Sequence, residues 1–149
     1  MKVSYKGDYA LKVILDLSEQ YMCELVHIED ISQRQDIPKK FLEQILLALK
    51  KGGFVQSKKG PNGGYFLTRH PKEIYLGEVL RYVEGPLLPI SCLDPNAAAG
   101  CDFVPKCVFY EIWQKVSLAI EEIIDDINFE QIMKRAADLS QIEVINYHI

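Results

Sequence analysis

The stretch from Asp36 to Gly53, DIPKKFLEQILLALKKGG, decides the fold of this 149-residue chain. Its proline is typical of a helix start, because the N–H that proline lacks would have no partner there. Apolar side chains recur at helical spacing on one face: Phe41, Leu42, Ile45, Leu46 and Leu49. The opposite face carries Lys39, Lys40, Glu43, Gln44 and a lysine at 50 or 51. The pattern predicts an amphipathic helix that starts at Pro38 and ends at the glycine pair.

A glycine-rich turn follows this helix. Residues 54–68, FVQSKKGPNGGYFLT, place GPNG between two strand-like runs, and the Asn-Gly pair is expected to supply the positive φ angles of a hairpin. Before the helix, apolar spacing predicts one helix over residues 8–21 and a shorter one over 28–35. Three helices and a basic hairpin are the order of a winged helix-turn-helix, whose third helix enters the DNA major groove.

The charge distribution agrees with a nucleic-acid surface. The formal net charge is −4, yet residues 34–72 hold nine basic and two acidic side chains, a local charge of +7. Phosphate attraction is local, since charges beyond a Debye length of about 10 Å are screened. If only the charge of this basic block, residues 34–72, is considered, an ordinary solvent-exposed surface is the alternative interpretation. Because charge and predicted geometry agree, we expect double-stranded DNA as the partner.

Six residues are predicted to contact that DNA: Lys39, Lys40, Glu43, Gln44, Lys58 and Lys59. The lysines suit phosphates, and Gln44 suits a base edge. A carboxylate on this face is costly near phosphates unless it accepts a hydrogen bond, so Glu43 is expected to reject sequences that leave it unpaired. The alternative for Glu43 is an ion pair with Lys39 or Lys40 on the same helix.

Composition argues against several other function classes. The chain is 48% hydrophobic and 26% charged, as ordinary globular proteins are. No stretch approaches the roughly 18 apolar residues of a membrane span, so we expect a cytoplasmic protein without membrane contact. The sequence contains no phosphate loop and no nucleophile triad, and none of its three histidines lies beside another catalytic residue type. We therefore expect no enzyme, and a metal or redox protein without DNA contact is the second class considered.

The C-terminal half predicts a loop between helices. A short helix is expected over 76–85, a proline-rich loop over 86–106 and a long helix from Cys107. The long helix carries an apolar stripe: Val108, Ile112, Val116, Ala119, Ile120, Ile123 and Ile127. The small helix-turn-helix domain cannot bury five turns of such an apolar stripe by itself. We therefore interpret this helix as a dimerisation element of a homodimer. Packing within the chain is the alternative.

The predicted fold class is thus mainly α with a small β-hairpin wing. We expect a winged helix-turn-helix domain over residues 1–85 and a cysteine-bearing loop over 86–106. The dimerisation helix and a short last helix follow over 107–138, and residues 139–149 are expected to form an aperiodic tail.

Three of the four cysteines fall within sixteen residues: Cys92, Cys101 and Cys107. Their C-x8-C-x5-C spacing lacks the C-x2-C pair usual in structural zinc sites. Thiolates from a flexible loop suit an iron–sulfur cluster, which tolerates a non-cysteine fourth ligand. Zinc, a thiol redox switch and cysteines without a function are the alternatives. Cys23, at the end of the first predicted helix, is expected to be a packing residue.

With these residues the sequence resembles the IscR, NsrR and CymR family of bacterial winged-helix regulators, from Met1 to about Asp126. The shared motifs are KGDYALK at 6–12, IPKKFLEQI at 37–45, SKKGPNGGY at 57–65, LGEV at 76–79 and the cysteine triad. The triad is similar to that of the cluster-bearing members, which implies a [2Fe-2S] cluster on the three cysteines. The recognition segment is most similar to that of the cluster-biogenesis regulator IscR, which implies a repressor of iron–sulfur biogenesis genes.

The resemblance also bears on the fourth ligand. The IscR pattern has closer spacing between its first two cysteines and a histidine three residues after the last, where this chain has Tyr110. The nitric-oxide-sensing branch uses a carboxylate near the start of the first helix, and Asp8 occupies that place. Asp8 is therefore implied as the fourth ligand, with stabilisation of the helix N-terminus as its alternative role. Cys23, His148 and an exogenous ligand are further candidates.

Two other functions within the family stay open. One is a nitric-oxide-responsive or redox-responsive regulator that uses the same cysteines. The other is a cluster-free repressor of cysteine metabolism that responds to a small effector.

Overall fold

The computed structural model describes residues 2–23, 25–97 and 101–147. Over these residues the elements, in chain order, are α1 (Tyr5–Glu19), α2 (Ile28–Gln35), α3 (Lys39–Lys51), β1 (Val55–Lys58), β2 (Gly64–Leu67), α4 (Leu76–Glu84), α5 (Tyr110–Asp126) and α6 (Phe129–Tyr147). Short 3₁₀ turns lie at Pro71–Glu73, Ser91–Leu93 and Val104–Lys106. This order confirms the predicted mainly α fold with a hairpin wing after the third helix.

The core lies between α1, α3 and the base of the hairpin. From α3 it receives four side chains with at most 4% exposure: Leu42, Ile45, Leu46 and Leu49. Phe41, which was predicted on the same face, is instead 55% exposed. It precedes Leu42 by one 100° step around the helix, and this step takes it past the edge of the buried face.

A tight turn joins α2 to α3. Asp36 adopts the left-handed conformation at φ 50° and ψ 47° and ends α2. The next residue, Ile37, is buried and forms two hydrogen bonds with Ser32. Its N–H donates to the Ser32 carbonyl at 3.1 Å, and its carbonyl accepts from the Ser32 hydroxyl at 2.7 Å. Pro38 takes the N-cap position, one residue before the helix rather than inside it. These contacts hold α2 and α3 as a helix-turn-helix.

A buried carboxylate fastens α2 to α1. Asp16 is fully buried, and it accepts hydrogen bonds from Arg34 Nε and Nη2 at 2.8 Å each and from Gln35 Nε2 at 3.1 Å. The hydrogen bonds to Asp16 raise the pKa of the Arg34 guanidinium. Arg34 was counted in the basic block, but its guanidinium, which is partly exposed, pairs with this buried carboxylate.

The hairpin is antiparallel, with Val55 opposite Leu67 and Lys58 opposite Gly64. The prediction that the Asn-Gly pair supplies positive φ angles is wrong, because the turn places its positive φ, 113°, at Gly60. Gly63 is required for another reason: a Cβ there would lie 2.1 Å from the Lys58 carbonyl oxygen. The loop between the strands is longer than a two-residue turn, so its backbone follows a different path.

Backbone hydrogen bonds tie the corner between α5 and α6 to the start of α4 and the residues just before it. Leu76 N–H donates to the Ile127 carbonyl at 2.9 Å, and Phe129 N–H donates to the Ile74 carbonyl at 3.0 Å. Phe129 enters the main core at 1% exposure. A smaller apolar cluster of Leu80, Leu87 and Ile124 joins α4 to α5.

Two expectations for the C-terminal half are corrected. The long helix begins at Tyr110 and not at Cys107, because a 3₁₀ turn ends at Lys106 and Cys107 is extended. The last helix does not stop near residue 138, since α6 continues to Tyr147. The expected tail is therefore helical through its described part. Residues 129–147 contain no glycine or proline, and Ala136, Ala137 and Leu139 favour a helix even where the apolar stripe fades.

Candidate nucleic-acid interface and cysteine loop

The face of α3 opposite its buried residues is polar and basic. Lys39, Lys40, Glu43 and Gln44 are all exposed, as the sequence predicted. At 100° per residue, the outermost row consists of Lys40, Gln44, Leu47 and Lys51. Leu47, which was not among the residues predicted on this face, is 55% exposed. The continuous apolar run from Ile45 to Leu49 is the signal, because one buried face cannot take all of it.

Lys39 lies on the side of α3 that faces α2. Its Nζ donates to Glu29 Oε1 at 2.5 Å. This hydrogen bond raises the pKa of Lys39 and lowers the pKa of Glu29. Both side chains are more than half exposed, so a nearby phosphate can compete for the lysine.

Glu43 does not form the ion pair that was its alternative role. Within the described part of the chain, no lysine or arginine nitrogen lies within 4.0 Å of its carboxylate. Lys39 turns to Glu29 instead, and Lys40 has no acidic partner among these residues. Glu43 thus presents an unpaired carboxylate on the exposed surface of α3.

The hairpin extends this basic surface. Lys58 and Lys59 are exposed at the end of β1. Lys50 Nζ donates to the Ser57 hydroxyl at 2.7 Å and so joins α3 to the wing. Two arginines of the basic block are neutralised internally, Arg34 by Asp16 and Arg69 by Glu78 at 2.7 Å. The positive charge that stays accessible is carried by lysines on α3 and the wing.

The three clustered cysteines lie outside the core on the segment that joins α4 to α5. Cys92 is half-buried in the turn Ser91–Leu93, Cys101 is exposed, and Cys107 is half-buried just before α5. All are free thiols. In residues 2–23, 25–97 and 101–147, no three His, Cys, Asp or Glu side chains lie close enough to hold a metal ion. The donor chemistry fits an iron–sulfur cluster, but the structure does not bring the three thiols together.

The candidate fourth ligands are far apart. Asp8 lies in the first turn of α1, where it pairs with Lys12 Nζ at 2.9 Å and raises the pKa of that lysine. The N-cap is Ser4, whose hydroxyl accepts from Gly7 N–H at 3.2 Å, so Asp8 is not the cap. Cys23 is exposed beyond the other end of α1, which is at least about 16 Å from Asp8 at 1.5 Å per residue. His148 lies outside the described residues.

The apolar stripe predicted on the long helix is largely uncovered. Val108, just before α5, is 75% exposed, and within α5 Ile112 is 53% and Ile123 61% exposed. Ile120 is an exception, since it packs against the Leu80, Leu87 and Ile124 cluster. A single protomer therefore leaves most of this face in contact with water.

None of the helices in the described part of the chain has both the length and the apolar character that crossing a bilayer requires.

Comparison with known proteins points to one family. The Rrf2 family model, described as an iron-dependent transcriptional regulator, matches residues 3–135. IscR of Aliivibrio salmonicida is 34% identical over 133 residues, which cover 89% of this chain and 77% of that protein. The solved structure of T. potens IscR has a TM-score of 0.74 at 33% identity and covers 91% of this chain and 88% of its own. That of CymR, the global cysteine regulator of B. subtilis, has a TM-score of 0.76 at 27% identity, with coverage of 91% and 98%.

Proposed function

Because the chain belongs to the Rrf2 family of transcriptional regulators, we propose that it is a homodimeric DNA-binding repressor that senses iron–sulfur status through a [2Fe-2S] cluster. Its targets are then genes of iron–sulfur cluster biogenesis, and its place of action is the bacterial cytoplasm. One observation carries the proposal: three free cysteines outside the core lie on the one segment between α4 and α5. We propose no enzymatic activity.

The DNA-binding part rests on α3 and the hairpin. Lys40 and Gln44 project from the outermost row of α3, where a recognition helix meets phosphates and base edges. Lys58 and Lys59 extend the same surface along the DNA backbone, and Lys39 joins it when a phosphate displaces Glu29. Glu43 then discriminates between DNA sequences, because its carboxylate needs a hydrogen-bond donor on the DNA.

The sensing part rests on the cysteine segment. Cys92, Cys101 and Cys107 are the proposed thiolate ligands, and Asp8 is the proposed fourth, which must leave Lys12 to bind. A bound [2Fe-2S] cluster supplies one-electron redox chemistry. Because the thiols are apart, binding requires the segment to close. That closure would act on α4 and α5, which the segment joins.

The dimer part rests on α5. A C2 dimer that buried the exposed stripe would place two α3 helices for half-sites one helical turn, or a multiple of it, apart. The exposed apolar side chains of α5 supply the surface that such an interface needs.

A second candidate is a cluster-free regulator of cysteine metabolism. It is favoured by the separation of the thiols in the described residues and by the similarity to CymR. A nitric-oxide or redox-responsive regulator would use the same cysteines as the first candidate.

Purification of the full chain without oxygen distinguishes these candidates. We expect brown protein with visible charge-transfer absorption and stoichiometric iron and sulfide. Cys92→Ser should abolish the absorption and remove the bound iron and sulfide. Cys23→Ser is the matched control and should leave the colour unchanged. Colourless protein, or protein that contains zinc alone, would contradict the cluster.

A further inference from the structure

The outer face of α3 carries two large apolar side chains that the core does not use. Phe41 and Leu47 are each 55% exposed, whereas the core-facing side chains of the same helix are at most 4% exposed. Neither residue is among those packed against the core. A single exposed apolar residue is ordinary. Two such residues on the helix proposed to enter the major groove form part of the surface that would face the DNA.

Helix geometry aligns these two residues with Gln44. Phe41, Gln44 and Leu47 follow at three-residue intervals, and residues three apart are neighbours on a helix surface. Gln44 is exposed between them. The surface therefore presents an oblique row of an apolar side chain, an amide and a second apolar side chain.

Phe41 also borders a shallow notch between α3 and the start of α1. The notch has a volume of about 390 Å³, and its other lining residues are Ser4, Tyr5, Lys6, Tyr9, Gln44 and Ile45. Tyr5 is 82% exposed, so the notch opens to solvent beside an aromatic side chain. A small apolar group fits such a place better than a polar one.

The charge around the row favours duplex DNA as its occupant. Lys6, Lys40 and Lys51 are exposed, and none has an acidic partner within 4.0 Å among the residues that the structure describes. Such lysines suit phosphates on both sides of a groove. The apolar group that the major groove presents is the 5-methyl group of thymine, and a glutamine amide matches the edge of adenine.

We propose that Phe41 and Leu47 contact thymine methyl groups on either side of the base that Gln44 binds. The row then selects A·T base pairs at the centre of each half-site. This inference rests on the proposed DNA-binding function. Covering one methyl group corresponds to about a four-fold change in affinity, from ~0.8 kcal/mol for each buried CH₂.

The test uses the wild-type protein and a duplex that it selects from a random library. Each thymine is replaced in turn by deoxyuridine, which lacks only the 5-methyl group. We expect two replacements in each half-site, one on either side of the base that Gln44 binds, to weaken binding about four-fold each. Phe41→Ala and Leu47→Ala should each abolish the loss at one position. Met22→Ala, at an 87% exposed residue in the turn after α1, should retain every loss.

Specific binding without any effect of deoxyuridine would overturn the inference and leave the proposed function standing. The same holds if both variants keep the wild-type deoxyuridine sensitivity and instead shift the monomer–dimer equilibrium, because the row would then be a protein contact. Failure to select any duplex would overturn the proposed DNA binding and the inference with it. Leu47→Gln supplies a second variant of similar size without the apolar surface.

Discussion

Arg81 and Asp125 form a bidentate ion pair between α4 and α5, with Nη1 2.6 Å from Oδ1 and Nη2 2.9 Å from Oδ2. The two residues are 44 positions apart in the sequence. The pair lies next to the Leu80, Leu87 and Ile124 cluster, so α5 is held to α4 by polar and apolar contacts. A movement of the segment between α4 and α5 would have to act against these contacts.

Replacing Arg81 by Gln should lower the free energy of unfolding by about 0.5–1 kcal/mol at neutral pH, because the pair is partly exposed. The hydrogen bond from Arg81 lowers the pKa of Asp125 below its ordinary value of 3.8. A carboxylate with a lowered pKa stabilises the folded state above its unfolded pKa, and loses that effect as the pH falls through the folded pKa. Denaturant unfolding of wild type and variant should therefore differ above about pH 5 and converge in more acidic solution.

Arg135→Gln is the matched control for this experiment. Arg135 is exposed and has no acidic partner within 4.0 Å in the described ranges. It should leave stability unchanged at every pH. A difference between Arg81→Gln and wild type that persists at the lowest pH would show that the lost interaction is not the ion pair.

Arg34→Ala should be far more damaging. It leaves the fully buried Asp16 carboxylate with Gln35 as its remaining side-chain partner, although Arg34 itself is 41% exposed. A buried polar group that loses its hydrogen-bond partner costs about 1–3 kcal/mol, and a charged one costs more. Arg69→Ala breaks an exposed pair with Glu78 and should cost about 1 kcal/mol or less. Equal losses of stability in the two variants, measured by urea denaturation, would contradict this account of Asp16.

The double variant Lys58→Ala/Lys59→Ala tests the wing. Each phosphate contact contributes about 0.9 to the slope of log affinity against log salt. If both lysines contact phosphates in each protomer of the proposed dimer, four contacts are lost, so the slope should become shallower by about 3.6, and affinity should fall for every sequence alike. Lys115→Ala/Lys134→Ala, on α5 and α6, is the control and should keep the wild-type slope. An unchanged slope in the wing variant would refute the assignment.

Local patterns explain why much of the fold could be predicted. The bounds of α2 matched the prediction, because Asp36 and Pro38 end one helix and start the next within three residues. The glycine-rich turn predicted the hairpin, but it did not show which residue would adopt the positive φ. The continuous apolar run from Ile45 to Leu49 left it open which side chain faces solvent, and only the packed structure identifies Leu47.

Contacts between distant residues could not be predicted. Arg34 and Lys39 look alike in a count of basic residues, but one serves a buried carboxylate and the other an exposed glutamate. The cysteine spacing indicated a set of soft ligands, yet spacing alone does not determine whether a loop brings three thiols together. The length of α6 was underestimated because the apolar residues of its C-terminal half follow no clear period, although no glycine or proline interrupts it.

Ile123→Glu tests the dimer. Ile123 is 61% exposed on α5, so a charge there should leave the protomer folded and prevent burial of the stripe. We expect a monomer by light scattering and loss of specific DNA binding. Ile120 is a poorer choice, because it also packs within the protomer. Met22→Glu, at an exposed apolar residue outside α5, should stay dimeric; a dimeric Ile123→Glu variant would place the interface elsewhere.

Glu43 and Cys92 together test whether the proposed cluster acts as a switch that decides which DNA sites Glu43 rejects. The Glu43 carboxylate is exposed on α3 without an ion pair in the described part of the chain, so DNA that offers it no hydrogen-bond donor is disfavoured. Only a difference in DNA affinity between cluster-bound and cluster-free protein can make a switch. Glu43→Ala should let the cluster-free protein bind sites that otherwise require the cluster. Cys92→Ala should remove cluster-dependent binding and leave the dimer intact.

The control for Glu43→Ala is Glu19→Ala, an exposed carboxylate at the end of α1, which should retain the wild-type choice of sites. Binding is measured by fluorescence anisotropy on several duplexes, with cluster-bound and cluster-free protein in parallel. The mechanism is wrong if the two forms bind every duplex equally. It is also wrong if Glu43→Ala leaves the choice of sites unchanged in both forms, because the carboxylate would then have no part in discriminating between them.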